Sequence, residues 1–266
     1  MRHAVLVLSL SPLIAGCIGA GTMRAIAPDA GLEARYTLPA ETVRAGLDSA
    51  LRTRGLRLEE ETRLDSMTTM VLAAKKASFF SYGEYVRVFL RWSPGPSQTS
   101  ARVVARSRYA LDLSGRADRA TPRLLQALDG ALGAGAVGPQ PGDRVRGRWG
   151  PGGGRYVTGL AAMADGTPHL SPDGPSAAAP IPLTTLTDVA VFRGSYSHRS
   201  EGATIGMLVG LVGGMVIGYS AEPTDSYRGS AAALGGLVEM AAGALLGAGA
   251  GELARTQVWS EVGSVR

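Results

Sequence analysis

The chain has 266 residues and a net charge of +5, which is carried by arginine except for Lys75 and Lys76. Hydrophobic residues make up 45% of the chain and aromatic residues only 6%, so the composition suits packed helices more than a thick aromatic core. Acidic residues lie among the arginines, which argues against a nucleic-acid-binding surface. The histidines and the single cysteine form no cluster in the sequence, so we expect no metal, no cofactor and no catalytic residue.

Residues 1–16 have the layout of a secretory signal peptide, with a short basic start before an apolar core. The core ends in the tetrapeptide IAGC, whose last residue is Cys17. This tetrapeptide resembles the lipobox of bacterial lipoproteins. In that family the peptide is cut before the cysteine and the thiol is linked to diacylglycerol, so the resemblance implies lipid attachment at Cys17. The alternative is an ordinary signal peptide that is cut near Ala20 and discards Cys17.

Residues 17–32, which begin at the lipobox cysteine, are mostly small and polar and predict a flexible lipidated tether. Ile18, and not aspartate, follows the cysteine. By analogy with lipoprotein sorting in enterobacteria, this residue favours the outer membrane over the inner membrane. We therefore expect a protein that is anchored by lipid in the cell envelope.

Residues 33–132 carry strand and helix patterns that predict an α+β sandwich. The elements are expected in the order β-α-β-β-β-α, with both helices on one face of an antiparallel sheet. The first helix should follow Pro39 and stop at Gly55, and the second should begin at Thr121-Pro122. The acidic stretch at residues 59–65 is predicted to be a solvated turn and not an acid–base pair.

Residues 133–141 are rich in glycine and proline and predict a linker. Their G-x-G-x-x-G match lacks the following helix that a dinucleotide loop needs. Residues 142–195 then show five short strands, with a tight turn at Asp165-Gly166. This block resembles small SH3-like barrels that precede glycine-rich membrane segments in bacterial envelope proteins. Such barrels bind peptides or RNA in other proteins. We interpret this block as a structural spacer, and a module that binds peptides is the alternative.

Residues 201–221 form an apolar run in which glycine recurs at every fourth position. The glycines of this run are Gly202, Gly206, Gly210, Gly214 and Gly218. Nineteen uncharged residues follow one another at 203–221, and as a helix they span ~28 Å, close to the hydrocarbon thickness of a bilayer. Glycine has no side chain, so a second helix can approach closely. The run therefore predicts a transmembrane helix with a packing groove.

A second apolar run at residues 229–251 continues this spacing after a polar loop. Its helix-packing glycines are Gly235, Gly243, Gly247 and Gly251. Glu239 occupies the position where the series lacks a glycine, and counting back from the loop places it near Gly210. A carboxylate in mid-bilayer is costly and usually faces a bundle interior or water. The runs predict an antiparallel transmembrane hairpin; a hairpin in the membrane interface and a soluble helix pair are the alternatives.

The glycine spacing and the lipobox together resemble the glycine-zipper two-transmembrane family of bacterial envelope lipoproteins, which includes rickettsial surface antigens. The resemblance implies a non-enzymatic role in envelope integrity or surface antigenicity. Its partners are membrane lipid, through acylated Cys17 and the hairpin, and a second copy or other envelope proteins. One alternative is a pore-forming, membrane-permeabilising oligomer in which Glu239 lines a polar path. Another is a periplasmic module that binds a peptide or glycan.

The predicted hairpin returns the chain to the side of the membrane from which it entered. The lipid anchor, both folded units and the C-terminal tail at residues 252–266 are therefore expected on the periplasmic side. Trp259 in this tail is expected near the headgroups, and docking of the tail as a strand on the barrel is left open. Arg193, His198 and Arg199 flank the first run and are candidates for binding lipid headgroups.

Overall fold

Two antiparallel sheets and two long apolar helices form the main part of the fold, which confirms the predicted α+β class. Cys17 and the predicted signal peptide lie outside the described residues. The computed structural model describes residues 19–76, 83–93, 98–108, 116–133, 138–150, 154–173, 179–222 and 225–262.

The first unit is an α+β sandwich whose helices α2 and α3 pack on one face of a sheet. Its elements are α1 (Ala20–Ala25), β1 (Leu32–Tyr36), α2 (Ala40–Thr53), β2 (Arg57–Arg63), β3 (Thr68–Lys75), β4 (Glu84–Trp92), β5 (Thr99–Ser107) and α3 (Arg116–Leu132). The strand order is β1-β5-β4-β3-β2. Leu47 of α2 and Leu128 of α3 share a core with Val88 of β4. Helix α2 lies between Pro39 and Gly55 as predicted, and Gly55 has a φ of +67° that favours glycine at this stop.

Strand β2 lies at the edge of the first sheet, where the sequence predicted a solvated turn at residues 59–65. That prediction was wrong because β2 is charged along most of its length and so lacks the alternating apolar pattern of a strand. Charged side chains protect an edge strand from pairing with other chains. Its carboxylates pair with arginines of other segments: Glu59 with Arg108, Glu60 with Arg24 and Glu61 with Arg44.

Helix α3 begins at Arg116 and not at the predicted start, Thr121-Pro122. Pro122 lies inside the helix, where it removes one backbone hydrogen bond. Thr121 also lies inside the helix and is therefore not its cap. Its Oγ1 instead accepts a hydrogen bond of 3.1 Å from the backbone N–H of Ala105 in β5. This hydroxyl fixes the helix to the sheet, a role that the local sequence pattern does not reveal.

The segment predicted to be a flexible tether is, from residue 19 onwards, packed against the other face of the first sheet. Met23 in α1 is fully buried. Arg87 of β4 donates hydrogen bonds of 3.1 Å to the backbone oxygens of Arg24 and Ala27. Arg87 is fully buried too, and this burial lowers the pKa of its guanidinium. The prediction was wrong because residues 63 positions apart make the contact, and local composition carries no sign of it.

We expect Arg87→Leu to release α1 from the sheet. The substitution removes two hydrogen bonds from a charged donor, each worth about 1.5–3 kcal/mol, and leaves two backbone carbonyls without these partners. Limited trypsin digestion at Arg24 measures the release, and Arg91→Leu is the matched control because Arg91 is exposed on the same strand. Equal rates of cleavage at Arg24 in the two variants contradict this role of Arg87.

The second unit is a six-stranded antiparallel sheet that includes the C-terminal tail. Its strands are β6 (Arg144–Trp149), β7 (Arg155–Ala164), β8 (Thr167–Pro172), β9 (Ile181–Pro182), β10 (Thr187–Ser197) and β11 (Arg255–Glu261). Their order is β11-β10-β6-β7-β8-β9. The predicted turn at Asp165-Gly166 joins β7 to β8 with φ angles of 51° and 74°, as a type I′ turn requires. Strand β11 belongs to the C-terminal tail and pairs with β10. The tail thus docks as a strand on the second sheet, an arrangement that the sequence left open.

The two long helices are inserted between neighbouring strands of this sheet. Helix α4 (Arg199–Ala221) follows β10, and helix α5 (Asp225–Leu253) precedes β11. Strands β10 and β11 pair antiparallel, with Ser197 opposite Arg255. The hairpin of helices is thus a long connection between two paired strands, and both of its ends are held by the same sheet.

Helix α3 also contacts the second sheet, through a buried ion pair between Asp129 and Arg193 of β10. Arg193 donates two hydrogen bonds to the carboxylate, at 2.6 and 3.2 Å, and the hydroxyl of Tyr36 donates a third, at 2.8 Å. Burial opposes the charge of Arg193, but the Asp129 carboxylate outweighs it and raises the pKa of the guanidinium. Burial and the same carboxylate raise the pKa of Tyr36 well above its usual value. Arg193 was predicted to bind headgroups, and that prediction was wrong because its guanidinium is enclosed in this cluster.

Candidate membrane-spanning hairpin

Helices α4 and α5 are long and apolar enough to cross a membrane, by length and composition. Only 11% of the most apolar stretch of each helix is buried, which differs from the core helix of a soluble protein. Large apolar side chains point away from the partner helix; Val209 is 68% exposed and Leu245 is 77% exposed. Contiguous apolar surface of this kind is typical of a face that is buried against lipid or against another protein.

The two helices meet at a seam made of glycine backbone. A Cβ atom added to any glycine of the four-residue series would overlap with a backbone carbonyl of the other helix or of its flanking residue. The helices therefore approach more closely than side chains would permit, as in small-xxx-small packing. The facing pairs are Gly202 with Gly247, Gly206 with Gly243, Gly210 with Glu239, Gly214 with Gly235, Gly218 with Ala231, and Gly251 with His198.

Other glycines of the hairpin lie outside this seam. A Cβ atom added at Gly213, Gly229 or Gly249 would meet no atom within 4 Å. Gly236 belongs to the interface but faces side chains, with Met215 as its nearest neighbour. Position in the register, and not glycine content, therefore decides which glycines the packing of the two helices requires.

Glu239 lies in the seam opposite Gly210, where counting from the loop places it. Its backbone oxygen faces Gly210, and its Cβ lies close to Gly214. The rest of the side chain is exposed, and it has no hydrogen-bond or ion-pair partner among the described residues. The hydroxyl of Thr204, on the other helix, donates to the backbone oxygen of Ser200 at 2.9 Å and is not directed to Glu239.

The base of the hairpin is fixed to the folded units by polar contacts that the sequence did not reveal. The backbone N–H of His198 donates to the carbonyls of Gly251 at 2.9 Å and Ala254 at 3.0 Å. Its Nε2 lies 2.7 Å from Oγ1 of Thr256 in β11. On the other side, Arg119 of α3 pairs with Glu201 at 2.5 Å. The first turn of α4 is thus joined both to α3 and to the strand after α5.

The tip of the hairpin carries aromatic and charged side chains at the opposite end from the base. Tyr219 and Tyr227 are 55% and 64% exposed. The guanidinium of Arg228 lies 5.6 Å from the centre of the Tyr219 ring, and its Nε donates to the backbone oxygen of Glu222 at 3.1 Å. At the base, Tyr196 and Trp259 lie on the paired strands β10 and β11. Aromatic residues at both ends of apolar helices are typical of the two interfaces of a membrane.

The residues that the structure describes contain no group of three or more His, Cys, Asp or Glu side chains that could hold a metal ion. His169 is half-buried, with its Nδ1 at 2.8 Å from the backbone oxygen of Thr167. Arg199 is exposed at the first residue of α4, and its binding to headgroups stays a prediction. Among the described residues, no arrangement of side chains points to a particular reaction.

Comparisons with protein-family models, with curated proteins and with solved structures found no match to this chain.

Proposed function

We propose that this chain is a non-enzymatic, lipid-anchored protein of the cell envelope, whose glycine-zipper hairpin crosses the membrane and serves a structural or scaffolding role in envelope integrity. The observation that carries the proposal is the seam of α4 and α5. Its glycines bring backbone against backbone, while the outward faces expose large apolar side chains.

A lipid environment explains the bare glycine backbone of the seam and the exposed apolar side chains better than an aqueous environment does. In water a glycine inside a helix is unfavourable by about 1 kcal/mol relative to alanine, and the exposed leucines and valines would lose the hydrophobic stabilisation of burial. In a bilayer the apolar faces are solvated by hydrocarbon, and close approach of the helices adds dispersion contact. A soluble helix pair would need another protein to cover the same faces.

The insertion of the hairpin between β10 and β11 supports a topology with one folded side. Both helix ends that join the second sheet lie at the base, so both units lie on the side of the membrane from which the hairpin enters. We assign that side to the periplasm because the proposed anchor, Cys17, follows a signal peptide, and Ile18 favours the outer membrane. The second sheet is interpreted as an SH3-like barrel that β11 completes, and a fragment limited to residues 142–195 therefore lacks one of its strands.

The lipid anchor is tested with Cys17→Ala in the full chain, expressed in a bacterial host with radiolabelled palmitate. We expect no incorporation of label and an uncleaved precursor, because the substitution removes the thiol that accepts diacylglycerol. Carbonate extraction of the same variant is a second measurement, in which the unlipidated precursor should stay in the membrane fraction. Unchanged labelling contradicts the anchor, and release of the unlipidated protein by carbonate contradicts the spanning hairpin.

A membrane-permeabilising oligomer is the second candidate function, and the exposed carboxylate of Glu239 in the middle of the hairpin favours it. In that case, Glu239→Gln should reduce leakage of a small dye from vesicles that contain the purified chain, because a polar path would lose its charged group. Glu222→Gln at the tip is the control. The candidate is contradicted if vesicles without protein leak as much as vesicles that contain the wild type or either variant.

A further inference from the structure

A small cleft of about 330 Å³ lies at the base of the hairpin, between α3 and the second sheet. Arg123 of α3, Arg146 of β6, and Tyr196, Thr256 and Trp259 of the paired strands contribute to its walls. Tyr196 and Thr256 face each other in the register of β10 and β11, next to the pair that adjoins the two helices. The cleft therefore opens within a few residues of the point where α4 and α5 leave the sheet.

The two arginines of the cleft are held by aromatic rings and not by acids. The guanidinium carbon of Arg146 lies 4.8 Å from the centre of the Trp259 ring and 5.8 Å from that of Tyr156. Arg123 lies 5.3 Å from the centre of the Tyr196 ring and donates a hydrogen bond of 3.2 Å to its hydroxyl. No carboxylate lines the described part of the cleft, and neither arginine has an acidic partner among the described residues.

Neighbouring arginines of the same sheet do have acidic partners. Arg144 pairs with Asp173 at 2.9 Å, and Arg148 pairs with Asp188 at 3.3 Å, although both lie on β6 beside Arg146. Arg146 is half-buried and has no ion-pair partner among the described residues, although its Nε, like that of Arg148, is buried without a hydrogen-bond partner. The cleft thus collects two positive charges that the protein itself leaves uncompensated.

The chemistry of these side chains matches a phosphate group. Guanidinium groups present several donors in a planar fork and form strong charge-assisted hydrogen bonds to phosphate oxygens. Two of them at one cleft favour a group with several acceptor oxygens over a single carboxylate. Tyrosine and tryptophan beside them have an apolar body and a polar edge, which is the character of residues at the membrane interface.

We propose that this cleft binds the phosphate of a phospholipid headgroup through Arg123 and Arg146. Binding of a phosphate group depends only on the cleft, whereas lipid as its source rests on the proposed membrane function. Bound phosphate fixes the folded units against the membrane surface at the base of the hairpin. Because Arg193 is enclosed by Asp129, these two arginines take the place that the sequence gave to Arg193.

The test is calorimetric titration of the full chain in neutral detergent with dihexanoyl phosphatidylglycerol, and separately with inorganic phosphate. We expect the lipid to bind, and the pair Arg123→Gln with Arg146→Gln to weaken binding at least 10-fold, as expected from the loss of charge-assisted hydrogen bonds. The pair Arg123→Lys with Arg146→Lys keeps the charges and should retain part of the affinity. The matched control, Arg144→Gln with Arg148→Gln, should change the affinity less than about 3-fold, because Asp173 and Asp188 already neutralise those arginines.

Three results overturn the proposal in distinguishable ways. Absence of binding by the wild type to either probe removes the site. Equal weakening by the control pair shows that overall charge, and not the cleft, attracts the lipid. Binding of inorganic phosphate as tightly as the lipid keeps the site but makes free phosphate its ligand. Because the titration uses soluble lipid and detergent, none of these results depends on whether the hairpin spans a bilayer.

Discussion

Gly210→Leu is expected to force α4 and α5 apart. A Cβ at this position overlaps with the backbone oxygen of Glu239 and approaches the backbone nitrogen of Met240. Backbone atoms cannot move aside by a change of rotamer, so the whole helix has to shift. Overpacking of a close interface usually costs 1–3 kcal/mol, and we expect a loss of about 3 kcal/mol or more here. The helix axes should move toward the separation of about 8–10 Å that is usual when side chains fill the interface.

Gly213→Leu is the matched control for this effect on the same helix. A Cβ at Gly213 meets no atom within 4 Å, so the added side chain projects into lipid or detergent. Spin labels at Val216 and Leu237, both exposed, measure the distance between the helices in a Cys17→Ser background. Gly210→Leu should lengthen and broaden this distance, while Gly213→Leu should leave it as in the wild type. Identical distances in the two variants would show that the seam does not depend on bare backbone.

The register of the hairpin could be predicted because it depends on two local features, the four-residue spacing of glycine and the short loop between the runs. These features place Glu239 opposite Gly210 without any knowledge of the rest of the fold. Helix α2 could be predicted for the same reason, since Pro39, the apolar face and Gly55 are close in sequence. Local periodicity is sufficient where an element has regularly spaced apolar or glycine positions and its start and stop signals are close in sequence.

Elements without a local apolar pattern, and contacts between distant segments, could not be predicted. Strand β2 has no apolar face, and only its place at the edge of the sheet explains its acidic sequence. Residues 19–32 pack on the sheet because buried Arg87 bonds to their backbone carbonyls. The cleft of Arg123 and Arg146 requires α3, β6 and β11 to meet. In each case arginines contact groups from distant segments, and a scattered arginine carries no sequence signal of its partner.

Asp129→Ala is expected to destabilise the junction between the two sheets by about 3–5 kcal/mol, the usual effect of removing one partner of a buried ion pair. The side chains of Asp129 and Arg193 are only 3% and 2% exposed, so the variant leaves a guanidinium buried without its counter-charge. The hydroxyl of Tyr36 loses its acceptor as well. Thermal unfolding in detergent, followed by near-ultraviolet circular dichroism, should show a clearly lower midpoint.

Two further variants separate the charge of this pair from the packing around it. Asp173→Ala breaks the ion pair with Arg144, whose partners are 46% and 48% exposed, and should cost at most about 1 kcal/mol. Asp129→Leu combined with Arg193→Met removes both charges and keeps apolar volume, so it should recover most of the stability that Asp129→Ala loses. If the double variant is as unstable as Asp129→Ala, the hydrogen bonds themselves hold α3 to β10. Recovery instead assigns the loss to the unpaired charge, and it means that the second sheet and the attached hairpin keep their place without the ion pair.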